Sequence, residues 1–73
     1  MQKLFGARLK QLREEARLTQ SELAVLIGVE SDSTIRRWER GARFPNPTTI
    51  LLLSKALGVQ VHRLFIFPNH PDI

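Results

Sequence analysis

The chain has 73 residues, no cysteine and a formal net charge of +4 at pH 7, which indicates one small domain without a disulfide framework or a thiolate metal site. The positive charge favours an anionic partner, namely nucleic acid, an acidic protein or a membrane surface. No apolar run reaches the ~18–20 residues that a bilayer span requires, and the N-terminus lacks the apolar core of a signal peptide, so we expect a cytoplasmic protein without membrane insertion.

The first predicted element is a helix over about residues 3–16. Apolar residues recur there at helical spacing, and we expect them to face the core. These residues are Phe5, Leu9, Leu12 and Ala16. The residues that fill the remaining faces are Arg8, Lys10, Gln11, Arg13, Glu14 and Glu15.

The second predicted helix begins after Thr19 and ends at about Ile27. Thr19 and Glu22 have the spacing of a capping box, in which each side chain accepts a hydrogen bond from the backbone N–H of the other residue. Gly28 supplies the positive φ that ends the helix. The residues predicted to face inward are Leu23, Ala24 and Ile27.

The third predicted helix follows a turn over residues 29–33 and ends at about residue 40, before Gly41. Ile35 and Trp38 are three positions apart, so we expect both on the buried face, with Trp38 a core residue rather than a base-stacking platform. The local sequence leaves the N-cap open among three candidates. These are Ser31, Asp32 and Ser33.

A fourth helix is predicted from Pro47, with Asn46 as its cap, to Leu57 before Gly58. A short fifth helical turn from Val59 ends at about Phe65. The inward residues of the fourth helix are Ile50, Leu53 and Leu57. The chain is therefore predicted to be all-α, with a five-helix domain over residues 1–67 and an irregular, proline-containing tail over residues 68–73.

Six motifs occur in order over about residues 4–65. They are RLKQLR at 8–13, LTQSELA at 18–24, GV at 28–29, IRRWERG at 35–41, RFP at 43–45 and LGV at 57–59. Together they resemble the lambda-repressor/Cro-like helix-turn-helix family, also called XRE-type. The resemblance implies a compact five-helix domain with the helix-turn-helix at helices 2 and 3. It also implies sequence-specific binding to the major groove of double-stranded DNA, usually as a dimer on a palindrome.

The resemblance implies a set of DNA-binding positions, each of which has the alternative of being an ordinary exposed polar residue. They are Gln20, Ser31, Asp32, Ser33, Thr34, Arg36, Arg37, Arg40 and Arg43. Gln20 and Arg43 are expected at phosphates, Arg37 at a guanine and Arg36 at a phosphate. In the groove the Asp32 carboxylate can accept from cytosine, but phosphates repel it, so Asp32 is expected to cap the third helix instead. Arg13 and Glu39 occupy positions that pair in the family, and we expect a structural ion pair.

Two positions depart from the family pattern. Ile35 lies seven positions after Gly28, whereas the family usually has six, so we place the extra residue within 30–33 and expect a longer turn. Arg17 stands where the family has glycine, which predicts a side chain at a positive φ, at a cost of about 1 kcal/mol.

Other function classes fit less well. An enzyme is not expected, because His62 and His70 have no nucleophile–base arrangement around them. A metal site of these histidines with Asp72 is disfavoured, and no cofactor is predicted. The alternative function is a protein-interaction module, such as an antitoxin or adaptor.

The final apolar run provides the possible contacts for a homodimer or a protein partner, with local tucking of the tail as the alternative. These contacts are Phe65, Ile66 and Phe67. We therefore predict a small transcriptional regulator, a repressor acting as a dimer on a palindromic operator, from a prokaryotic nucleoid or a phage.

Overall fold

The computed structural model describes residues 1–67, which contain four α-helices and one 3₁₀ helix. Their bounds are α1 Gln2–Glu15, α2 Gln20–Ile27, α3 Asp32–Arg40, α4 Pro47–Leu57 and the 3₁₀ helix Val61–Phe65. No strand occurs among residues 1–67, which confirms the all-α prediction. The predicted tail falls on residues 68–73, outside the described residues, so the division into domain and tail stays a prediction.

Two sequence-based expectations about the helices were wrong. The fifth element is a 3₁₀ helix, because five residues without a side-chain cap at Gln60 favour the tighter turn over an α-helix. The first helix ends at Glu15, so Ala16 is its exposed C-cap and does not face the core. None of the helices in the described residues combines the length and hydropathy needed to span a bilayer.

The predicted ends of α2 and α4 are confirmed. Thr19 and Glu22 form the reciprocal capping box, and the Asn46 side chain accepts from the Thr49 N–H at 2.8 Å ahead of Pro47. Helices α2, α3 and α4 each end at a glycine in the left-handed conformation. These glycines are Gly28, Gly41 and Gly58. Arg17 has a φ of 60°, as predicted, so the α1–α2 turn retains a strained side-chain-bearing residue.

One hydrophobic core joins all five elements. Its fully buried side chains are Phe5, Leu9, Leu23, Ile35, Leu53 and Leu64. Helix α3 packs against both α1 and α2, so the core holds α3 in place from two directions. Ile50, predicted as buried, is only half-buried at the edge of this core.

Helix α1 approaches α3 closely at Gly6, in the first half of α1. A Cβ built on Gly6 would clash with the carbonyl oxygens of Trp38 and Glu39, the latter at 2.5 Å. Because both neighbours are backbone atoms, no side chain there can move aside. The absence of a Cβ therefore lets α1 lie directly against the C-terminal half of α3.

Candidate nucleic-acid interface

Helices α2 and α3 form a bihelical unit around a four-residue connection, residues 28–31. Gly28 adopts a left-handed conformation, and its N–H donates to the Ala24 carbonyl at 3.0 Å. The chain then becomes extended at Ser31, the N-cap of α3. This geometry redirects the chain so that α3 packs on α2 while its opposite face stays open.

Helix α3 has two contrasting faces. Ile35 and Trp38 are buried, which confirms the predicted core register and the core role of Trp38. Arg36, Arg37 and Arg40 are all exposed on the opposite side. The core thus fixes the apolar face and leaves three cationic side chains exposed to solvent.

The first turn of α3 differs from the prediction for Asp32. Ser31 is the N-cap, and Asp32 is the first helical residue, so Asp32 does not cap the helix. Its Oδ2 instead accepts from Nη2 of Arg36 at 3.2 Å. The Ser31 side chain makes no capping hydrogen bond to the backbone, and its hydroxyl lies 2.6 Å from that of Ser33.

The structure brings the predicted pair Arg13 and Glu39 together. Nε of Arg13 donates to Oε2 of Glu39 at 2.6 Å, and Nη2 donates to Oε1 at 3.2 Å. Only 11% and 4% of the two side-chain surfaces are exposed. Arg13 also donates to the Leu18 carbonyl at 2.8 Å. The pair therefore ties α1 and the α1–α2 turn to the end of α3.

Hydrogen bonding to Glu39 raises the pKa of Arg13 and outweighs burial, which acts to lower it. A group whose pKa is raised in the folded state adds stability that is fully present below its ordinary pKa. That contribution is lost as the pH rises through the pKa of the folded state. Arg13 therefore remains charged in the folded domain at every ordinary pH.

Gln20, the first residue of α2, extends the same network. Its Nε2 donates to Oε1 of Glu39 at 3.0 Å, and the residue is half-buried. One hydrogen of the amide nitrogen is thereby used within the protein, and the other is left for an external acceptor. Arg43 is exposed in the loop after α3, and Thr34 is half-buried beside Ser33.

The apolar C-terminal run is divided between the core and the surface. Phe65 is half-buried, with its ring centroid 5.3 Å from that of Phe5. Ile66 is 43% exposed, and Phe67 is half-buried. Of the three predicted dimer contacts, Phe65 thus belongs to the core edge, and Ile66 is the most accessible.

The sequence did not predict the contacts that two further residues make in this region. Phe44, which lies in the loop between α3 and α4, completes an aromatic cluster, since its ring centroid is 4.8 Å from that of Phe5. Arg8, assigned to a polar face of α1, is buried, and its Nε donates to the carbonyl of Arg63 at 2.8 Å. An aromatic residue in a loop is the sequence feature that indicates a packing role for Phe44. The burial of Arg8 had no such local feature, because it depends on residues far along the chain.

Metal binding receives no support from the part of the chain described. Within residues 1–67, no three His, Cys, Asp or Glu side chains are grouped so as to hold an ion. His70 and Asp72, two members of the disfavoured site, lie outside the described residues.

A small helix followed by a turn and a second helix with an exposed basic face defines the helix-turn-helix class. The family model described as "Helix-turn-helix domain" matches residues 4–64. The chain belongs to the lambda-repressor-like, XRE-type helix-turn-helix family.

Two relatives from Bacillus subtilis (strain 168) are similar in sequence. The transcriptional repressor RghR is 46% identical over 56 residues, which are 75% of this chain and 41% of RghR. The uncharacterized transcriptional regulator RghRB is 39% identical over 67 residues, which are 90% of this chain and 48% of RghRB. The chain thus spans about half the length of these curated relatives or less.

Two solved structures share the fold and part of the sequence. The restriction-modification controller protein C.AhdI from Aeromonas hydrophila matches with a TM-score of 0.81 and 38% identity, over 86% of this chain and 94% of that protein. The P22 c2 repressor, solved with a synthetic operator, matches with a TM-score of 0.76 and 35% identity, over 82% of this chain and 89% of the repressor.

Proposed function

We propose that this chain is a transcriptional regulator that binds a specific double-stranded DNA sequence by placing α3 in the major groove. The observation that carries this proposal is the fixed, outward basic face of α3, opposite buried Ile35 and Trp38. A major groove accepts one α-helix, and guanidinium groups bind both phosphates and guanine edges. The similarity to RghR and to the P22 c2 repressor supports the same function.

The proposed contacts divide into backbone and base contacts. Gln20 and Arg43 bind phosphates, with Gln20 using the N–H that Glu39 leaves available and the positive end of the α2 dipole beside it. Arg40 adds a further cation for the backbone. Arg37 binds a guanine edge, while Ser33 and Thr34 contact a thymine methyl group or a phosphate. Such a set of cations makes the affinity fall steeply with salt.

Replacement of Arg37 by alanine is expected to weaken binding to the preferred sequence about 10-fold or more, because a bidentate arginine–guanine contact is lost. The measurement is a gel-shift titration on sequences selected from random DNA, at two salt concentrations. Lys10→Ala is the matched control, since it removes one exposed positive charge from α1. Equal losses in the two variants would contradict a base contact by Arg37.

We further propose that two copies pair through Ile66 and Phe67 to bind a palindromic operator as a repressor. A two-fold operator requires two α3 helices held in symmetric positions, and Ile66 is an exposed apolar residue beside the aromatic cluster. Packing of Phe65 on Phe5 fixes the position of this run against α1.

Ile66→Ser is expected to raise the dimer dissociation constant about 10-fold, because the lost side chain removes apolar surface from the interface. Light scattering over a concentration series measures the change. Val25→Ser is the control, since Val25 is an apolar residue that is 78% exposed on α2, outside the C-terminal run. A wild-type chain that stays monomeric, alone and on DNA, would refute the pairing.

A protein-interaction module remains the second candidate, for one reason. Leu18, Val25 and Leu26 line an open apolar groove along α2, and Leu26 is 58% exposed. Exposed apolar surface of this kind marks a contact site for another protein. Binding that is identical for all DNA sequences would favour this candidate over the regulator.

A further inference from the structure

Asp32 and Arg36 form a pair at the N-terminal end of α3. They are one helical turn apart, and their side chains are 41% and 48% exposed, so the pair is open to solvent. Side chains on a helix lean toward its N-terminus, and the 3.2 Å contact draws the Arg36 guanidinium over the first turn of α3. Without that contact, an arginine four residues into the helix is free to extend sideways to a phosphate.

We propose that Asp32 is a specificity-determining residue, which orients Arg36 toward a guanine and turns the two residues into a single base-reading unit. This inference rests on the proposed function, because it requires α3 to enter the major groove. It also changes the role expected for Arg36 from a phosphate contact to a base contact.

The chemistry of the pair fits a G·C-containing step. Arg36 uses Nη2 on Asp32 and keeps its other N–H donors, which match the O6 and N7 acceptors of guanine. Within the described residues, Oδ1 of Asp32 has no hydrogen-bond partner, and it can accept from the N4 amino group of a neighbouring cytosine. The positive charge of Arg36 offsets the carboxylate, so the repulsion that phosphates exert on a lone aspartate is reduced.

A purely structural role for the pair makes a different prediction. An exposed pair at positions i and i+4, with the acid nearer the N-terminus, stabilises a helix only slightly. Removing it would then alter stability slightly and leave the DNA preference unchanged. Sequence preference therefore separates the two roles, whereas affinity alone does not, because removing any acidic charge strengthens binding to all DNA.

The test compares the wild-type chain with Asp32→Asn and with Glu30→Gln, the matched control. Glu30 is exposed in the connection just before α3, so the two variants lose the same charge two positions apart. Each protein is used to select sequences from random double-stranded DNA. Each is then titrated on the preferred sequence and on a copy in which the preferred G·C pair is changed to A·T. Thermal unfolding checks that both variants fold.

The wild-type chain is expected to favour the G·C sequence, and Asp32→Asn to reduce that ratio about 10-fold. Glu30→Gln should keep the ratio within about 2-fold, while both variants bind the A·T copy more tightly at low salt. Arg36→Ala should lose the same base preference as Asp32→Asn, at a position different from that affected by Arg37→Ala.

Two results would overturn the inference, and they are distinguishable. A ratio that is the same in Asp32→Asn and Glu30→Gln, with Arg37→Ala still selectively impaired, would refute the role of Asp32 and leave the regulator intact. A wild-type chain with no sequence preference would refute the proposed function, and the base-reading unit with it.

Discussion

Replacement of Glu39 by alanine is expected to lower the free energy of unfolding by about 3 kcal/mol or more. The substitution leaves the Arg13 guanidinium charged, with only 11% of its side-chain surface exposed and without the carboxylate that balances it. It also removes the acceptor for Nε2 of Gln20. A domain of this size holds only a few kcal/mol of stability, so much of the population should unfold at ambient temperature.

Urea titration followed by circular dichroism measures this loss. Asp32→Ala serves as the control, because it breaks the exposed pair with Arg36 and should cost no more than about 0.5 kcal/mol. A double variant, Arg13→Met with Glu39→Leu, should recover most of the stability, since the cost comes from a buried unpaired charge. Similar losses for Glu39→Ala and Asp32→Ala would show that the buried pair contributes little.

Gly6→Ala is expected to lower the free energy of unfolding by about 2 kcal/mol, although alanine is the better helix former by about 1 kcal/mol. The added Cβ would meet backbone carbonyl oxygens of α3, among them that of Glu39 at 2.5 Å. Helix α1 must then move away from α3, and this movement also lengthens the contact between Arg13 and Glu39.

Thermal unfolding of Gly6→Ala beside Ala7→Gly tests this prediction. Ala7 is exposed on the same helix, so Ala7→Gly measures the helix propensity alone, at about 1 kcal/mol of destabilisation. If the close contact between α1 and α3 determines the effect at position 6, both variants are less stable than the wild type. This holds although one variant replaces glycine by alanine and the other replaces alanine by glycine. A Gly6→Ala variant more stable than the wild type would mean that α1 has room at this position.

Local chemistry made much of the fold predictable. The capping box at Thr19, the cap at Asn46 and the terminating glycines depend only on neighbouring residues, so local sequence patterns predicted them correctly. Helical spacing likewise identified Ile35 and Trp38 as core residues of α3. The fifth element was less predictable, because five residues do not distinguish an α-helical turn from a 3₁₀ helix.

Long-range contacts limited what could be predicted of the site. Arg13 and Glu39 are 26 positions apart, and only the family resemblance pointed to their pairing. The roles of Gly6 and Arg8 depend on contacts with α3 and the 3₁₀ helix, which are distant in sequence, so no local pattern predicts them. For Asp32 the sequence predicted N-capping, but α3 starts at Asp32 itself, and its side chain pairs with Arg36 instead.

The attachment of the 3₁₀ helix to α1 has a consequence for the order of folding. Arg8 donates to a carbonyl 55 positions later, and the Phe5 ring contacts that of Phe65. On the ribosome the residues of α1 emerge before these partners, so α1 cannot complete its packing until the residues around Leu64 have emerged. The chain must therefore be synthesised through the 3₁₀ helix before the core is complete. Until then, the helices already synthesised lack part of their final packing.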